Sequence, residues 1–396
     1  MSQAAGVSRS VAEPAAVDTR RWLMLALLLV GQFMGLIDAL IVNVAVPQIG
    51  ADLHASGATL QFVVGGYVIA YAMLLITGAR LGAMYGRRRM FLTGAVVFTL
   101  ASAGCGLAPS SAVLVALRCV QGAGAAVMVP QIMSVIQLQF TGPARAKALS
   151  AYGAVLSTGA VAGLVLGGVL VNANLFGATW RPVFLVNVPI GLLLVVLVPR
   201  LVPADHPGSG LRLDVAGLLL AVPTVVLVVV PLVLGHQLGW PGWTYLSITL
   251  GLVLGAVFVA YERHVSTSGG APLLNLAVLT APGLGAGLTS LSCMQMAYGG
   301  FLFVFTLHLQ AGLGDSALRA GLTYLPMAAA FGLVGFYWRR LPARLHPFVG
   351  VTGLALCAIG YLGVALSRPT PPAAAPRCGL SCCSPGSGSA CRPARC

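Results

Sequence analysis

The sequence predicts an all-α fold, a polytopic helical membrane protein with a bundle of about eleven spans. Of its 396 residues, 58% are hydrophobic and only 8% are charged, whereas soluble proteins average about 25% charged residues. Apolar stretches long enough to cross about 30 Å of hydrocarbon as a helix recur along the chain. These stretches are continuously apolar and do not alternate over ten-residue segments, which favours a helical bundle over a β-barrel.

The predicted spans follow one another with short polar connections. They lie at residues 22–46, 58–79, 90–108, 112–137, 150–171, 183–199, 214–234, 243–261, 282–308, 318–337 and 347–366. The polar residues 1–21 precede a first apolar stretch that is too long for the core of a cleaved signal peptide. We therefore expect an uncleaved first helix.

The net charge is +14, and the distribution of the basic residues indicates the orientation of the chain in a membrane and not a nucleic-acid partner. The basic residues cluster in every second loop, whereas the intervening loops hold few. The clusters are Arg20 and Arg21, Arg87 to Arg89, Arg145 and Lys147, Arg200 and Arg212, Arg263, and Arg339, Arg340 and Arg344. By the positive-inside rule these loops and the N-terminus face the cytoplasm, so we expect a multi-pass protein of the plasma membrane.

Several chemistries are excluded by the motifs that the chain lacks. Lys147 is the only lysine, and it is not in a phosphate-binding loop ending in Gly-Lys-Ser/Thr, so the chain is not its own ATPase. The glycine-rich segment 283–288 opens an apolar span with no strand before it, which argues against a dinucleotide site. Five of the nine cysteines lie in 367–396 at spacings that match no zinc pattern. We expect no enzyme activity, no cofactor and no metal.

One acidic residue, Asp38, lies well inside an apolar span. A charged side chain near the middle of a bilayer costs roughly 3 kcal/mol, so it is usually retained for a function. Counting about 1.5 Å per helical residue puts Asp38 and Arg118 at a similar depth, roughly 10 Å below the outer surface. They can form an ion pair or share a polar cavity; alternatively, Arg118 bonds backbone carbonyls as a structural clamp and Asp38 caps a kink.

Five motifs resemble those of the major facilitator superfamily, and within it the fourteen-span drug/proton antiporters. The segments are 37–47 (IDALIVNVAVP), 80–89 (RLGAMYGRRR), 117–126 (LRCVQGAGAA), 180–191 (WRPVFLVNVPIG) and the glycines of the fifth span. They are similar, in that order, to the family's first-helix signature, its cytoplasmic loop, its fourth-helix motif, the start of its sixth helix and its antiporter motif.

The resemblance implies roles for particular residues. It implies proton coupling by Asp38 and Arg118, a substrate cavity that includes Asn43, Gln121 and Gly122, and a gating loop at Gly86, Arg87 and Arg88. The four-residue spacing of Gly159, Gly163 and Gly167 independently predicts a smooth helix face for close packing, and the resemblance adds Gly168 to these packing residues. Without the resemblance, the arginine cluster is most simply an orientation anchor.

The chain departs from the family's pattern in three places. Ala83 replaces the usual Asp of the cytoplasmic loop, and Leu164 replaces the usual Pro of the antiporter motif. The third departure is the change of composition after about residue 368, from apolar to rich in Pro, Gly, Ser and Cys. Our hypothesis is a premature end that removes the last three helices of a fourteen-span plan.

The predicted organisation follows from the spans and the resemblance. It comprises a cytoplasmic segment (1–21), a six-helix bundle (22–200), a linker loop (201–213), two inserted membrane helices (214–261), a cytoplasmic loop (262–281), an incomplete C-terminal bundle (282–366) and a disordered tail (367–396). The predicted function is proton-coupled efflux of amphipathic or cationic small molecules, that is, multidrug or antibiotic export by a monomer. A transport-inactive truncated membrane protein and a proton-coupled importer remain as alternatives.

Overall fold

The fold is helical throughout the part of the chain that the structure, a computed structural model, describes. The described residues are 19–173, 177–205, 214–235, 238–268, 273, 276, 281–309, 313–315, 317–337 and 342–366. The first seven helices are α1 (Thr19–Asp52), α2 (Gly57–Tyr85), α3 (Arg87–Gly106), α4 (Ser111–Gln139), α5 (Gly142–Ala173), α6 (Pro182–Leu185) and α7 (Asn187–Leu201). They are followed by α8 (Val215–Leu234), α9 (Gly242–Thr267), α10 (Leu284–Leu307), α11 (Ala317–Thr323), α12 (Leu325–Tyr337), a 3₁₀ turn (Ala343–Phe348) and α13 (Val349–Leu366).

The helices confirm a polytopic membrane protein. Seven of the described segments are long and apolar enough to cross a bilayer, namely α1, α2, α3, α4, the pair α6–α7, α8 and α9. Helices also cover the other four predicted spans, in α5, α10, α11–α12 and α13. Membrane crossing by these four stays a prediction, as do the domain boundaries. The predicted tail and most of the linker loop lie outside the described residues.

Two predicted spans are interrupted by a break. The sixth divides at Val186 between α6 and α7, and the tenth divides at Tyr324 between α11 and α12. A proline follows each break, Pro189 and Pro326. Because proline has no N–H to bond the carbonyl four residues earlier, it weakens the preceding turn. The break in the sixth span places the first residue of α7, Asn187, in the interior of the bundle.

Helices α1 to α7 bury two apolar clusters with a polar layer between them. One cluster includes Met34, Phe98, Ala125 and Leu194. The other includes Ile41, Cys105, Leu114 and Phe184. On each of α1, α3 and α4 the chain passes from one cluster to the other through a buried polar residue, and the same holds where α6 meets α7. The polar layer is therefore a shared feature of the bundle and not a property of one helix.

Glycines let α4 approach α2 closely. A Cβ atom at Gly122 would meet the backbone carbonyl of Tyr67, and one at Gly78 would meet the backbone of Ala126. Gln131 adds a polar contact between the same two helices, since its Nε2 donates to the carbonyl oxygen of Gly78 at 2.8 Å. The contact between α2 and α4 thus fixes the helix that carries Arg118.

Candidate functional site

A buried ion pair lies in the polar layer. Asp38 on α1 and Arg118 on α4 are both completely buried, and Nη1 of Arg118 donates to Oδ2 of Asp38 at 2.5 Å. The depth argument from the sequence had placed these residues at one level. The structure brings them into direct contact.

The second carboxylate oxygen of Asp38 is held by two side-chain amides. Oδ1 accepts a hydrogen bond from Nε2 of Gln121 at 2.7 Å and another from Nδ2 of Asn187 at 2.8 Å. Both amides are completely buried. Because an ionised carboxylate only accepts, the three donors around it match the ionised form of Asp38.

Arg118 combines the two roles that the sequence left as alternatives. Besides the ion pair, its Nε donates to the carbonyl oxygen of Val63 on α2 at 3.0 Å, which is a backbone clamp. Its Nη1 also donates to Oε1 of Gln121 at 2.8 Å. The guanidinium carbon lies 4.6 Å from the ring centroid of Tyr67, a favourable cation–π distance. The same guanidinium therefore fixes α2 and neutralises Asp38.

Ser102 on α3 connects the two amides to the backbone. Its Oγ accepts from Nε2 of Gln121 at 3.0 Å and from Nδ2 of Asn187 at 3.1 Å, and its hydroxyl donates to the carbonyl oxygen of Phe184 at 2.9 Å. Cys105, one turn along α3, donates weakly through its thiol to Oε1 of Gln121 at 3.8 Å. Side chains of α1, α3, α4 and α7 thus form one buried network.

The sequence did not predict Asn187, Ser102 or Cys105 as members of this network. Asn187 stands in the segment 180–191 that resembles the family, so a signal was present without a role attached to it. Ser102 and Cys105 are small residues in an apolar span, where similar residues commonly pack helices together. Only their position between the two apolar clusters distinguishes them.

The predicted substrate-cavity residues lie in three different surroundings. Gln121 is buried inside the bundle in the Asp38 network, and Gly122 is packed against Tyr67 of α2, so neither lines an open cavity. Asn43 is exposed on α1, where its Nδ2 donates to the carbonyl oxygen of Leu40 at 3.1 Å. A polar residue beside a buried arginine satisfies that arginine first, which accounts for the position of Gln121. A substrate-cavity role for Asn43, Gln121 and Gly122 stays a prediction.

The predicted gating-loop residues meet a carboxylate that the sequence assigned only to a linker. Asp205 accepts hydrogen bonds from the backbone N–H of Arg87 at 2.7 Å and of Arg88 at 3.2 Å. Nη1 of Arg87 also contacts Asp205, at 3.1 Å, and Nη1 of Arg88 donates to the carbonyl oxygen of Val202 at 3.2 Å. Gly86 forms the turn between α2 and α3 with a φ of 95°, a conformation that favours glycine.

These contacts set the ionisation of Asp205. Partial burial raises the pKa of this carboxyl, but the backbone hydrogen bonds from Arg87 and Arg88 and the charge of Arg87 outweigh burial and leave the pKa below its ordinary value. Asp205 is therefore ionised at neutral pH and caps the start of α3 from another element. A carboxylate thus lies beside Gly86, three residues after Ala83, which replaces the usual Asp in the last turn of α2.

The predicted glycine face lies against α1. A Cβ atom at Gly163 would lie 3.0 Å from the carbonyl oxygen of Ile37, and one at Gly167 would lie 3.0 Å from that of Ile41. Gly159 faces Leu36 in the same way, at 3.1 Å, and Gly168 is buried. Helix α5 therefore packs directly on the turns of α1 that flank Asp38.

The fold and this site define a class: a multi-pass helical membrane protein whose N-terminal bundle encloses a buried, hydrogen-bonded ion pair. In the part of the chain that the structure describes, no group of three or more His, Cys, Asp or Glu residues could hold a metal.

Comparison with known proteins identifies the family. The sequence pattern of the Major Facilitator Superfamily matches residues 28–391. The chain is 39% identical to the probable actinorhodin transporter of Streptomyces coelicolor over 316 residues, which are 80% of this chain and 54% of that protein. It is 36% identical to the cephamycin export protein CmcT of Amycolatopsis lactamdurans over 87% of this chain and 71% of the relative. The chain belongs to the Major Facilitator Superfamily.

A solved structure agrees at the level of the fold. The structure of the proton:xylose symporter XylE bound to 6-bromo-6-deoxy-D-glucose matches with a TM-score of 0.55 and 15% sequence identity. The match covers 80% of this chain and 68% of that one. The chain spans about half the length of the actinorhodin transporter it resembles, 54%.

Proposed function

We propose that this protein is a proton-coupled exporter of amphipathic small molecules of the antibiotic or drug class. The single observation that carries the proton coupling is the completely buried pair of Asp38 and Arg118. The direction of transport and the substrate class rest on the relatives, one named as a cephamycin exporter and others as resistance proteins for puromycin and methylenomycin A.

Coupling needs one group in the bundle that gains and loses a proton. A guanidinium keeps its charge in proteins as a class, whereas a carboxylate such as that of Asp38 can be neutralised. A buried pair balances the cost of removing two charges from water against their attraction, so adding one proton changes that balance strongly. The proton therefore resides on Asp38, and Arg118 is the fixed positive charge that keeps the carboxylate ionised until the site opens.

The hydrogen bonds also distinguish two roles that Asp38 could have, carrying the proton and contacting a cationic drug. Both of its oxygens are already held by Arg118, Gln121 and Asn187, and the side chain has no exposed surface. A cationic drug therefore cannot reach this carboxylate in the conformation that the structure describes. Asp38 serves the proton, and contact with the drug falls to other surfaces of the bundle.

The remaining features fit a rocking exporter in the plasma membrane. The positive-inside rule places the N-terminus, Arg87 and Arg88 on the cytoplasmic side. There Asp205 ties the loop between α2 and α3 to the end of α7, which makes this cluster a candidate cytoplasmic gate. Alternating access would move the N-terminal bundle as one body around a central site, and the working unit is a monomer.

Drug accumulation in everted membrane vesicles tests the proposal. Asp38→Asn keeps the size of the side chain but cannot carry a proton, so it should abolish accumulation driven by a proton gradient. Asp315→Asn is the matched control, because Asp315 pairs with the largely exposed Arg319 in a surface ion pair. Equal accumulation by the parent and Asp38→Asn, at equal protein content of the vesicles, would refute proton coupling through Asp38.

A further inference from the structure

The carboxylate of Asp38 is surrounded by donors, so a proton added to it needs an acceptor. A protonated carboxyl gains an O–H that must donate a hydrogen bond, or it is left buried without a partner. The neighbours are Arg118, Gln121 and Asn187, all of which donate in the ionised state. Whichever of them can turn into an acceptor decides how the bundle responds to the proton.

Two of the three neighbours cannot make this change. Arg118 has no acceptor atom. Gln121 has one, but its Oε1 already accepts from Nη1 of Arg118 at 2.8 Å and from the thiol of Cys105 at 3.8 Å. Turning the amide of Gln121 over would break both contacts and set an N–H group against a guanidinium. Gln121 is therefore fixed as a donor.

Asn187 is different, because its acceptor atom is uncommitted. Its Oδ1 is buried and has no hydrogen-bond partner, while its Nδ2 bonds Asp38 and Ser102. Turning this amide over presents Oδ1 to the new O–H of Asp38, and the bonds it breaks are the two that Nδ2 donates to Asp38 and Ser102.

The same movement reaches the backbone through Ser102. After the turn, Oδ1 of Asn187 also faces Oγ of Ser102, which had accepted from the amide. The hydroxyl can then satisfy Asn187 only by leaving the carbonyl oxygen of Phe184, to which it donates at 2.9 Å. Phe184 belongs to α6, and Asn187 begins α7 directly after the break at Val186.

The far end of α6 is fixed to the outer end of α1. Arg181 and Trp180 just before α6 both contact Oδ2 of Asp52, at 2.8 and 2.9 Å. Releasing the Phe184 carbonyl therefore loosens the junction of α6 and α7 while the start of α6 stays attached. The break at Val186 supplies the hinge at which such a change is absorbed.

We propose that Asn187 is the positioning residue that detects protonation of Asp38: its side-chain amide turns over when Oδ1 of Asp38 takes a proton, and Ser102 passes the change to the junction of α6 and α7. The inference rests on the proposed function, since it assumes that Asp38 exchanges a proton during transport. The charged or titratable groups that face Asp38 in the described residues are Arg118 on α4, Tyr67 on α2 and Cys105 on α3. The only covalent change is at Asp38, which gains one proton and forms one O–H bond.

Infrared difference spectroscopy of the purified full chain in lipid vesicles tests the switch, with pH as the only variable and no drug present. We expect a carboxylic acid band that titrates in the parent and is missing in Asp38→Asn. With isotope-labelled asparagine, an amide band of Asn187 should titrate at the same pH and disappear in both Asp38→Asn and Asn187→Leu. An asparagine amide band that ignores pH in the parent would overturn the proposal.

Asn187→Leu separates the switch from a merely structural role. It removes a charge-assisted donor to the ionised carboxylate and a weaker acceptor for the acid, so the midpoint of the acid band should move by about one unit to higher pH. Gln131→Leu is the matched control, because Gln131 is an equally buried amide that joins α2 to α4 without contacting Asp38. Equal midpoints for Asn187→Leu and Gln131→Leu would contradict the proposal.

An isosteric variant keeps the test valid if Asn187→Leu fails to fold. Asn187→Asp preserves the volume and puts a second carboxyl beside Asp38, where two carboxylates cannot both ionise easily. One proton should then persist on the pair to a higher pH than in the parent. If the carboxyl of Asp38 and the carboxyl introduced by Asn187→Asp titrated independently, the contact between positions 38 and 187 would be refuted. Because the spectroscopy uses no drug, the two proposals fail separately: equal drug accumulation by the parent and Asp38→Asn would refute the proposed function without deciding the switch.

Discussion

At the scale of single residues, the molecule keeps a carboxylate inside an apolar bundle by giving both of its oxygens hydrogen-bond donors. Asp38 has an ion pair on one oxygen and two amides on the other, and Arg118 adds a backbone carbonyl and an aromatic ring. A buried charge is tolerated only under such conditions. The network is therefore sensitive to the loss of any one member.

Removing one partner of the buried ion pair should destabilise the bundle more than removing both partners. Arg118→Met leaves an unpaired carboxylate in the bundle and should lower the free energy of unfolding by about 3 to 5 kcal/mol, measured by denaturant unfolding in detergent. Adding Asp38→Leu to that variant should recover most of the loss, since an apolar pair of similar volume is often neutral. A double variant no more stable than Arg118→Met alone would show that the guanidinium contributes through its clamp on Val63 and not through the pair.

At the scale of elements, the helix ends carry contacts that tie segments distant in sequence. Asp205 follows α7 and caps the start of α3, while Asp52 at the end of α1 holds the segment before α6. Both carboxylates lie at the ends of the bundle, one near each surface. They fix the connections between helices through contacts that do not include the polar layer in the middle.

The cap formed by Asp205 gives a pH-dependent prediction. Asp205→Ala should cost about 1 kcal/mol, as removal of a helix cap does, and should speed hydrogen exchange of the Arg87 and Arg88 amides. Because the folded pKa of Asp205 is below its ordinary value, the stabilisation is complete above about pH 4 and is lost as the pH falls through the lowered pKa.

Hydrogen exchange followed by mass spectrometry on the segment around residue 87 measures the effect of the cap. Asp315→Ala is the control, since a surface ion pair is worth less than about 1 kcal/mol and lies on another part of the chain. Unchanged protection of Arg87 and Arg88 in Asp205→Ala at neutral pH would show that the cap does not stabilise α3.

The sequence predicted local properties well and long-range contacts unevenly. Hydropathy predicted a span at the position of each α-helix from α1 to α13. The rise per helical residue predicted that Asp38 and Arg118 lie at the same depth. The sequence did not predict the contacts of Ser102, Asn187 and Asp205. Their partners lie on other elements, so these contacts depend on how the helices are rotated. The break after α6 could be predicted from the sequence, since Pro189 lies in a predicted span. The inward position of Asn187 could not, because it depends on the packing of four helices.

At the scale of the whole molecule, helices α1 to α7 surround a polar layer that contains the carboxylate of Asp38. Because protein interiors are close-packed, we expect the two apolar clusters on either side of that layer to transmit a change in it by shifts of whole helices. Helix α5 packs on the turns of α1 beside Asp38 through its glycines. The carboxylate is thus linked through its neighbours to every major helix of the N-terminal bundle.

The most direct test is the release of protons by the purified chain in vesicles of low buffering capacity when a drug is added. We expect the drug to move protons across the membrane in the parent, and Asp38→Asn to bind the drug without any proton movement. Equal proton movement in the parent and Asp38→Asn would contradict this expectation.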